Sequence, residues 1–179
     1  MSDYIFRSER LGFRNWRDSD IIPMAAINAD PEVMKFFPAI QTASQTQDFI
    51  QKMQQQFEEK GYCYFAVDVL ETNTLIGFTG LSYKTFESDF TPCIDIGWRL
   101  GKAYWNKGYA TEGAARCLQF GFGTLKTDTI NAIAPKINEP SIAVMEKIGM
   151  KRVKEFQHPL LVNDDWLQPC VLYQVKNND

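Results

Sequence analysis

The apolar positions of this 179-residue chain change their period along its length, and each change marks an element. From Thr46 to Lys60, Phe49, Ile50, Met53 and Phe57 recur at helical spacing, with glutamines and charges elsewhere around the axis and Gly61 as a stop. That pattern predicts an amphipathic helix laid on a flat partner. The runs Tyr62 to Leu70 and Leu75 to Tyr83 supply one, being apolar, of strand length and joined by Glu71-Thr72-Asn73-Thr74, a hairpin turn by composition. Upstream, Ser8 to Arg14 reads as a first strand. Asp18-Ser19-Asp20 offers caps for a helix over Ile21 to Asn28, and Asp30-Pro31-Glu32 opens a further short helix, with Asp as cap and Pro in the first turn.

Downstream, Cys93 to Leu100 predicts a strand, Gly108 to Leu125 a helix and Thr129 to Pro135 a strand. This βαβ-like order makes the two strands parallel, with room for another strand between them. Asn138 to Ile148 forms a last helix stopped by Gly149, and Met150 to Gln157 and Pro169 to Val175 complete a mixed sheet. No repeat or long linker interrupts the chain, so one α/β domain over 1–179 is expected.

Composition narrows the function classes. With 45% apolar and 13% aromatic residues the chain can bury a core without staples. Cys63, Cys93, Cys117 and Cys170 form no Cys-x-x-Cys pair and His158 is the only histidine, which argues against a zinc site or a disulfide framework and for buried thiols in a reducing compartment. No apolar run reaches the ~18 residues of a spanning helix, and the opening Met-Ser-Asp-Tyr-Ile-Phe-Arg-Ser-Glu-Arg lacks a secretion signal, so a cytoplasmic location and no membrane partner are expected. A net charge of −3 with dispersed basic residues gives no footprint for a nucleic-acid duplex; mild acidity leans towards a cationic acceptor.

The chemistry concentrates in Cys93-Ile-Asp-Ile-Gly-Trp-Arg-Leu-Gly-Lys-Ala-Tyr-Trp-Asn-Lys-Gly-Tyr-Ala-Thr-Glu-Gly113. Here a strand runs into a loop whose Lys107-Gly108-Tyr109-Ala110-Thr111 opens a helix. Unpaired backbone N–H groups and the positive helix end converge there, as a phosphate requires. The small Gly108 and Ala110 let a diphosphate reach the main chain, and Lys107 adds charge. A Walker loop is excluded, because Gly97 and Gly101 are separated by three residues and Gly101-Lys102 is followed by alanine; no Gly-x-Gly-x-x-Gly is present either. The ordinary alternative is a glycine in a helix-start turn.

This segment resembles the coenzyme A loop of the GNAT acetyltransferases, in their RimJ/RimL-like ribosomal-protein N-acetyltransferase branch, and the similarity spans nearly the whole chain. Ser8-Glu-Arg-Leu-Gly-Phe-Arg-Asn-Trp-Arg-Asp18 and Asp30-Pro-Glu-Val-Met-Lys-Phe-Phe-Pro38 are similar to that branch's first strand and helices. Asn138-Glu-Pro-Ser-Ile-Ala-Val-Met-Glu-Lys-Ile-Gly-Met150 resembles its second cofactor motif and Val171-Leu-Tyr173 its last strand. The family pattern of Gln or Arg, two residues, Gly, one residue, Gly or Ala falls on Trp105, Gly108 and Ala110; Trp105 departs from it, and Asn106 stands where glycine is common. The implied fold is α/β (α+β): a mixed, mostly antiparallel sheet of about seven strands, with a parallel, splayed pair at its fourth and fifth strands and about four helices on both faces.

The resemblance implies acetyl-CoA as cosubstrate, no metal, an amine acceptor and direct attack in a ternary complex, by a monomer or homodimer. The main chain at Trp98 and Leu100 would hold the pantetheine arm and acetyl carbonyl, as an added strand pairs with an exposed edge. Amides of Lys107, Gly108, Tyr109, Ala110 and Thr111 would take the diphosphate, Asn138 would bond the pantetheine amide, and Lys147 would lie near the adenosine end. An α-amine with a pKa near ~8 needs less help to lose its proton than a lysine near ~10.4, and a strand N–H near Trp98 would meet the oxyanion.

Many relatives protonate the thiolate with a tyrosine in the last helix, where this chain has Met145; Ser141, one turn earlier, is the candidate, unless its hydroxyl only bonds local backbone. Asp95 is the candidate general base, at a place where the branch often has glutamate, unless it merely pairs with a cation. Glu87 and Asp89, on an acidic loop, and His158, before Pro159, are alternatives. Trp16, Trp98, Trp105 and Tyr62 to Phe65 read as core or tunnel lining. The acceptor is a protein N-terminus or a small amine, chosen by loops around Gln41, Phe86 and Asn163. The competing readings are a non-catalytic acyl-CoA-binding module, suggested by Met145 and Asn106, and an antibiotic or polyamine acetyltransferase, which requires a strongly acidic acceptor cleft.

Overall fold

Two short strands, β1 (Phe6–Arg7) and β2 (Leu11–Arg14), take the place of the single strand expected from Ser8 to Arg14. Ser8 makes the turn: its N–H donates to Leu11 O (2.9 Å) and its hydroxyl oxygen accepts the Leu11 amide (3.2 Å). The structure is a computed structural model describing residues 4–177, so the first three and last two positions of the expected 1–179 domain lie outside the described residues.

Beyond β2 come α1 (Ile21–Asn28), α2 (Ala43–Lys60), β3 (Tyr64–Val69), β4 (Thr74–Lys84) and β5 (Cys93–Leu100). Then follow α3 (Tyr109–Gly123), β6 (Thr129–Pro135), α4 (Glu139–Lys147), β7 (Lys151–Gln157) and β8 (Pro169–Lys176). The eight strands form one sheet in the order β1-β2-β3-β4-β5-β6-β8-β7. Every neighbouring pair is antiparallel except β5 and β6, which are adjacent and parallel with no strand between them.

Strand alternation assigns the helices to opposite faces. On one face, Phe78 packs on Phe49 of α2 (ring centroids 5.3 Å apart), and the Ser82 hydroxyl donates to Gln56 Oε1 (3.2 Å). On the other, α3 lies over Thr79 and Leu81, drawn close by small residues: a Cβ at Gly121 would come within 2.6 Å of Ile130 Cδ1. The helix predicted from Phe49, Ile50, Met53 and Phe57 is present and starts earlier, because Thr42 and Gln45 form a capping box.

Two helix expectations change. Asp20 occupies the cap position of α1, but its carboxylate is engaged by Arg14 and by the Arg17 amide rather than by the helix. Asp30 caps as expected, accepting the Glu32 amide (2.9 Å), yet residues 31–36 remain a succession of turns. Only Val33 and Met34 of that stretch are buried and Pro38 closes it, so no continuous apolar face rewards a helix.

Arg14 lies buried between two carboxylates. Its Nε and Nη2 donate to Asp68 (2.7 and 2.9 Å), and Nη1 and Nη2 donate to Asp20 (2.7 and 2.9 Å). Burial alone would lower its pKa, but the bonds to Asp20 and Asp68 more than offset that and hold it above the ordinary arginine value. The network ties the segment before α1 to β3. Cys63, Cys117 and Cys170 are buried free thiols and Cys93 is half-buried. Among the described residues no helix is long and apolar enough to cross a membrane, and no acidic, cysteine or histidine cluster could hold a metal ion.

Replacing Arg14 by methionine leaves two carboxylates facing each other without a cation. The expected loss is about 3–5 kcal/mol of unfolding free energy, measured by urea denaturation at pH 7.

Candidate active site

The site begins where β5 and β6 stop pairing. Gly101 N donates to Ile76 O (2.9 Å), and the β4–β5 register pairs Leu100 with Gly77, so Arg99, Gly97 and Asp95 take the bonds to β4. The N–H and C=O groups of Ile96, Trp98 and Leu100 therefore point away from β4. The only registered contact with β6 is Asp95 with Asn131, so beyond it β5 has an open edge. Leu100 O accepts the Trp105 indole N–H (2.8 Å), which leaves Trp98 with both main-chain groups available.

A cavity of about 280 Å³ fills the opening. Its β5 wall carries Asp95, Gly97, Trp98 and Arg99, and its α4 wall Asn138, Ser141 and Met145. Tyr64 of β3 forms part of the floor: a Cβ at position 97 would sit 3.0 Å from the Tyr64 ring, so glycine there lets the ring approach. Phe37, Phe49 and Phe78 add an aromatic lining.

Asp95 is 5% exposed, and its Oδ2 accepts the Tyr64 hydroxyl at 2.5 Å. Oδ1 has no partner of good hydrogen-bond geometry among the described residues. Burial pushes the carboxyl up to about 6, against the opposing pull of Lys84, the Tyr64 hydroxyl and the Ile133 amide. Lys84 stacks on the Tyr64 ring, 4.9 Å from its centroid, and makes no ion pair with Asp95. Burial, then Asp95, raises the Tyr64 pKa well above its ordinary value, so the phenol keeps its proton.

On α4, Asn138 Oδ1 accepts the Ser141 amide (3.2 Å) and caps the helix, while its Nδ2 remains unbonded among the described residues. Ser141 Oγ likewise has no partner there, so the local-backbone alternative for that hydroxyl is not realised. Met145 is buried beside them, in the cavity wall.

The loop before α3 has the donors expected of it. The first backbone bond of the helix runs from Glu112 N to Gly108 O (3.0 Å), and among the described residues no amide from 106 to 111 donates a hydrogen bond. Gly108 is left-handed (φ 81°), as is Asn106 (φ 59°). Asparagine tolerates that conformation best after glycine, so the backbone at 106 accepts it without the strain other side chains would bring. Arg10 clamps the loop: Nε donates to Glu112 (2.7 Å), Nη1 to Lys107 O (3.0 Å), and the guanidinium covers Tyr109. Burial works against ionisation of Glu112, but the Ser8 hydroxyl and Arg10 keep its pKa below the usual value.

Other predicted residues lie elsewhere. Asp89 pairs with Lys154, and neither it nor Glu87 lines the cavity. His158 packs on Phe86 (4.5 Å), accepts the Leu160 amide, and has its pKa lowered by burial and then by Lys84. Lys147 is exposed in the last turn of α4. Trp16 is core, whereas Trp105 is 37% exposed, its indole recruited by Leu100. Among the described residues the charged groups lining this cavity are Asp95, Lys84 and Arg99, one acid against two bases, whereas the antibiotic or polyamine reading requires a strongly acidic cleft. Arg99 and Arg10 were not singled out from sequence, and Tyr64 was read only within the run Tyr62 to Phe65 as core or tunnel lining, which its place in the cavity floor matches. The period-2 spacing Asp95, Gly97, Arg99 was the available signal for the first.

Comparison with known proteins gives a consistent result. The acetyltransferase (GNAT) domain family matches residues 10–151. An uncharacterized N-acetyltransferase of Bacillus subtilis, YnaD, is 31% identical over 160 residues, 89% of each chain. The crystal structure of a GNAT-family acetyltransferase from Bacillus anthracis superposes with a TM-score of 0.79 at 30% identity, covering 95% of this chain and 96% of that one. Spermidine N-acetyltransferase from Vibrio cholerae, solved with CoA and spermine, gives a TM-score of 0.73 at 15% identity over 93% and 95% of the two chains, a likeness of fold.

The raised Asp95 pKa has a thermodynamic consequence. A carboxyl moved from 3.8 unfolded to about 6 folded favours the fold while protonated, and that contribution is lost as pH rises from about 4 through about 6. Asp95→Asn is therefore expected to be more stable than wild type by roughly 3 kcal/mol at pH 8, with the difference gone at pH 4, measured by urea denaturation across that range.

Proposed function

This chain belongs to the GNAT acetyltransferase family, and from that premise we propose that it transfers an acetyl group from acetyl-CoA to a primary amine by direct attack in a ternary complex. We further place it in the RimJ/RimL-like branch, as one cytoplasmic domain over 1–179. The observation that carries the reading is the row of unpartnered amides from 106 to 111 beside the open edge of β5. A diphosphate fits the first and an extended pantetheine arm the second.

Acetyl-CoA, when bound, supplies the activated acetyl group. Lys107, Gly108, Tyr109, Ala110 and Thr111 hold the diphosphate through main-chain N–H groups, with Arg10 and Lys107 adding positive charge. Trp98 offers N–H and C=O to the pantetheine end, its N–H being the donor for the acetyl oxygen. The Leu100 N–H extends that edge, its carbonyl being already bonded to Trp105. Asn138 Nδ2 bonds the arm's amide, and Lys147 lies towards the adenosine end. Asp95 Oδ1 accepts a proton from the incoming ammonium, directly or through water, while Tyr64 fixes the carboxylate through Oδ2. Ser141 Oγ delivers a proton to the departing sulfur and regains one from the attacking nitrogen, which sheds it as the amide forms.

A second reading, a binding module without turnover, is favoured by Met145, which cannot donate a proton where many relatives have tyrosine. Calorimetric titration with acetyl-CoA, combined with a thiol-release assay over a panel of amines, separates the two: binding without release for every amine supports the module.

Ser141→Ala is expected to lower kcat by about 100-fold while acetyl-CoA affinity, read by calorimetry, stays within about twofold. In wild type, kcat/KM should rise with pH through a limb near 6, where Asp95 loses its proton, and this limb should be absent from Asp95→Asn.

A further inference from the structure

Arg99 is a buried cation without an anion. It is 9% exposed, lies on β5 four residues beyond Asp95, and shares that residue's face of the strand, with only Gly97 between them. Its Nη1 donates to Asn28 Oδ1 (2.8 Å), and Asn28 is held in turn by Thr46 (3.0 Å). The guanidinium sits against Phe37 and Phe78, 4.1 and 5.3 Å from the ring centroids. Nε is buried with no hydrogen-bond partner, and no carboxylate of the described residues comes within ion-pair distance.

The same molecule shows what a structural arginine requires. Arg14, comparably buried, is satisfied by two bidentate carboxylates. Desolvating a guanidinium costs several kcal/mol unless an anion compensates, and a buried donor left bare adds to that cost. Burial accordingly depresses the Arg99 pKa to about 10, with the Tyr64 phenol opposing the shift. Aromatic walls that exclude water, a single anchoring bond through Nη1 and a side chain that lines the cavity with no carboxylate partner among the described residues together form half of an ion pair.

We infer that Arg99 receives a carboxylate of the acceptor, so that the acceptor is an amine that also bears a carboxylate rather than a polyamine. This rests on the functional reading above and names its substrate class. The cavity wall is bipolar: Asp95 lies at the end where the amine must lose its proton, and Arg99 lies about 13 Å further along the strand, Cα to Cα. Phe37, Phe49 and Phe78 cover the apolar body between the two charges. A polyamine would bring a second cation to the guanidinium. The diphosphate of the carrier has its own donors at 106–111, so Arg99 is not needed there.

The test compares matched acceptors in the acetyl-CoA thiol-release assay. One arm uses linear ω-amino acids, whose amine and carboxylate are separated by an apolar methylene chain, against their carboxamides, and the other uses short peptides with glutamate against glutamine at the second position. The expected result is a preference of about 10- to 100-fold in kcat/KM for the acid over its amide in one arm, which also identifies the carboxylate's source. Arg99→Gln should collapse that ratio to within about threefold, with the change in acceptor KM rather than kcat. Calorimetric titration of the same pairs into the CoA-loaded protein reads the preference independently of turnover. Equal use and equal binding of acid and amide by the wild type in both arms overturn the inference, even if Arg99→Gln fails to fold, and so does a preference that survives in Arg99→Gln. Failure of acetyl-CoA to bind overturns instead the functional reading on which the inference stands.

Discussion

The parting of β5 from β6 after a single registered pair, Asp95 with Asn131, is the constraint on which the rest of the structure depends. A sheet that stayed zipped would consume the main-chain groups of Trp98 and Leu100 in its own ladder and leave no room between its halves. Because the strands diverge, β1 to β5 and the β6-β8-β7 group form two antiparallel units joined at one point. The wedge between them is the cavity, walled also by Phe49 of α2 and by Phe36 and Phe37 at the end of the 31–36 turns. An exposed strand edge is ordinarily a liability for aggregation. Here it lies inside the molecule, shielded by α4 and the loop after β5.

Burial sets the character of the charged groups around that wedge. Asp95 and Arg99 share one strand face, and each is held away from water without a full countercharge. The contrast with Arg14, Asp20 and Asp68 shows that this sequence compensates buried charge where only architecture is at stake. Stability is given up at positions 95 and 99, where burial works against the charged form of each side chain.

Much of the fold was legible because its long elements have clear periods. The helix at α2 follows from Phe49, Ile50, Met53 and Phe57, and the parallel pair from the βαβ order of Cys93 to Pro135. The segments that went astray are short ones decided by single side chains. Ser8 turns the chain into a hairpin, and Asp20 leaves its cap role for Arg14, a partner fixed only by tertiary structure. The run of unpaired amides from Lys107 to Thr111 was readable, since helix starts carry their free donors wherever they occur. The acceptor side was not. That Tyr64 reaches Asp95 depends on the registers β3–β4 and β4–β5, and that Arg99 lacks a counterion depends on everything that packs near it; neither is a property of local sequence.

The hairpin of β1 and β2 also ties two distant regions together. Ser8 and Arg10 grip Glu112 in the first turn of α3, and Arg10 reaches on to Lys107 O, so the start of the described chain braces the loop before that helix. Anything that pulls on residues near the amino terminus, a fused tag or a neighbouring macromolecule, has a mechanical route to the loop before α3, about a hundred positions later in the sequence.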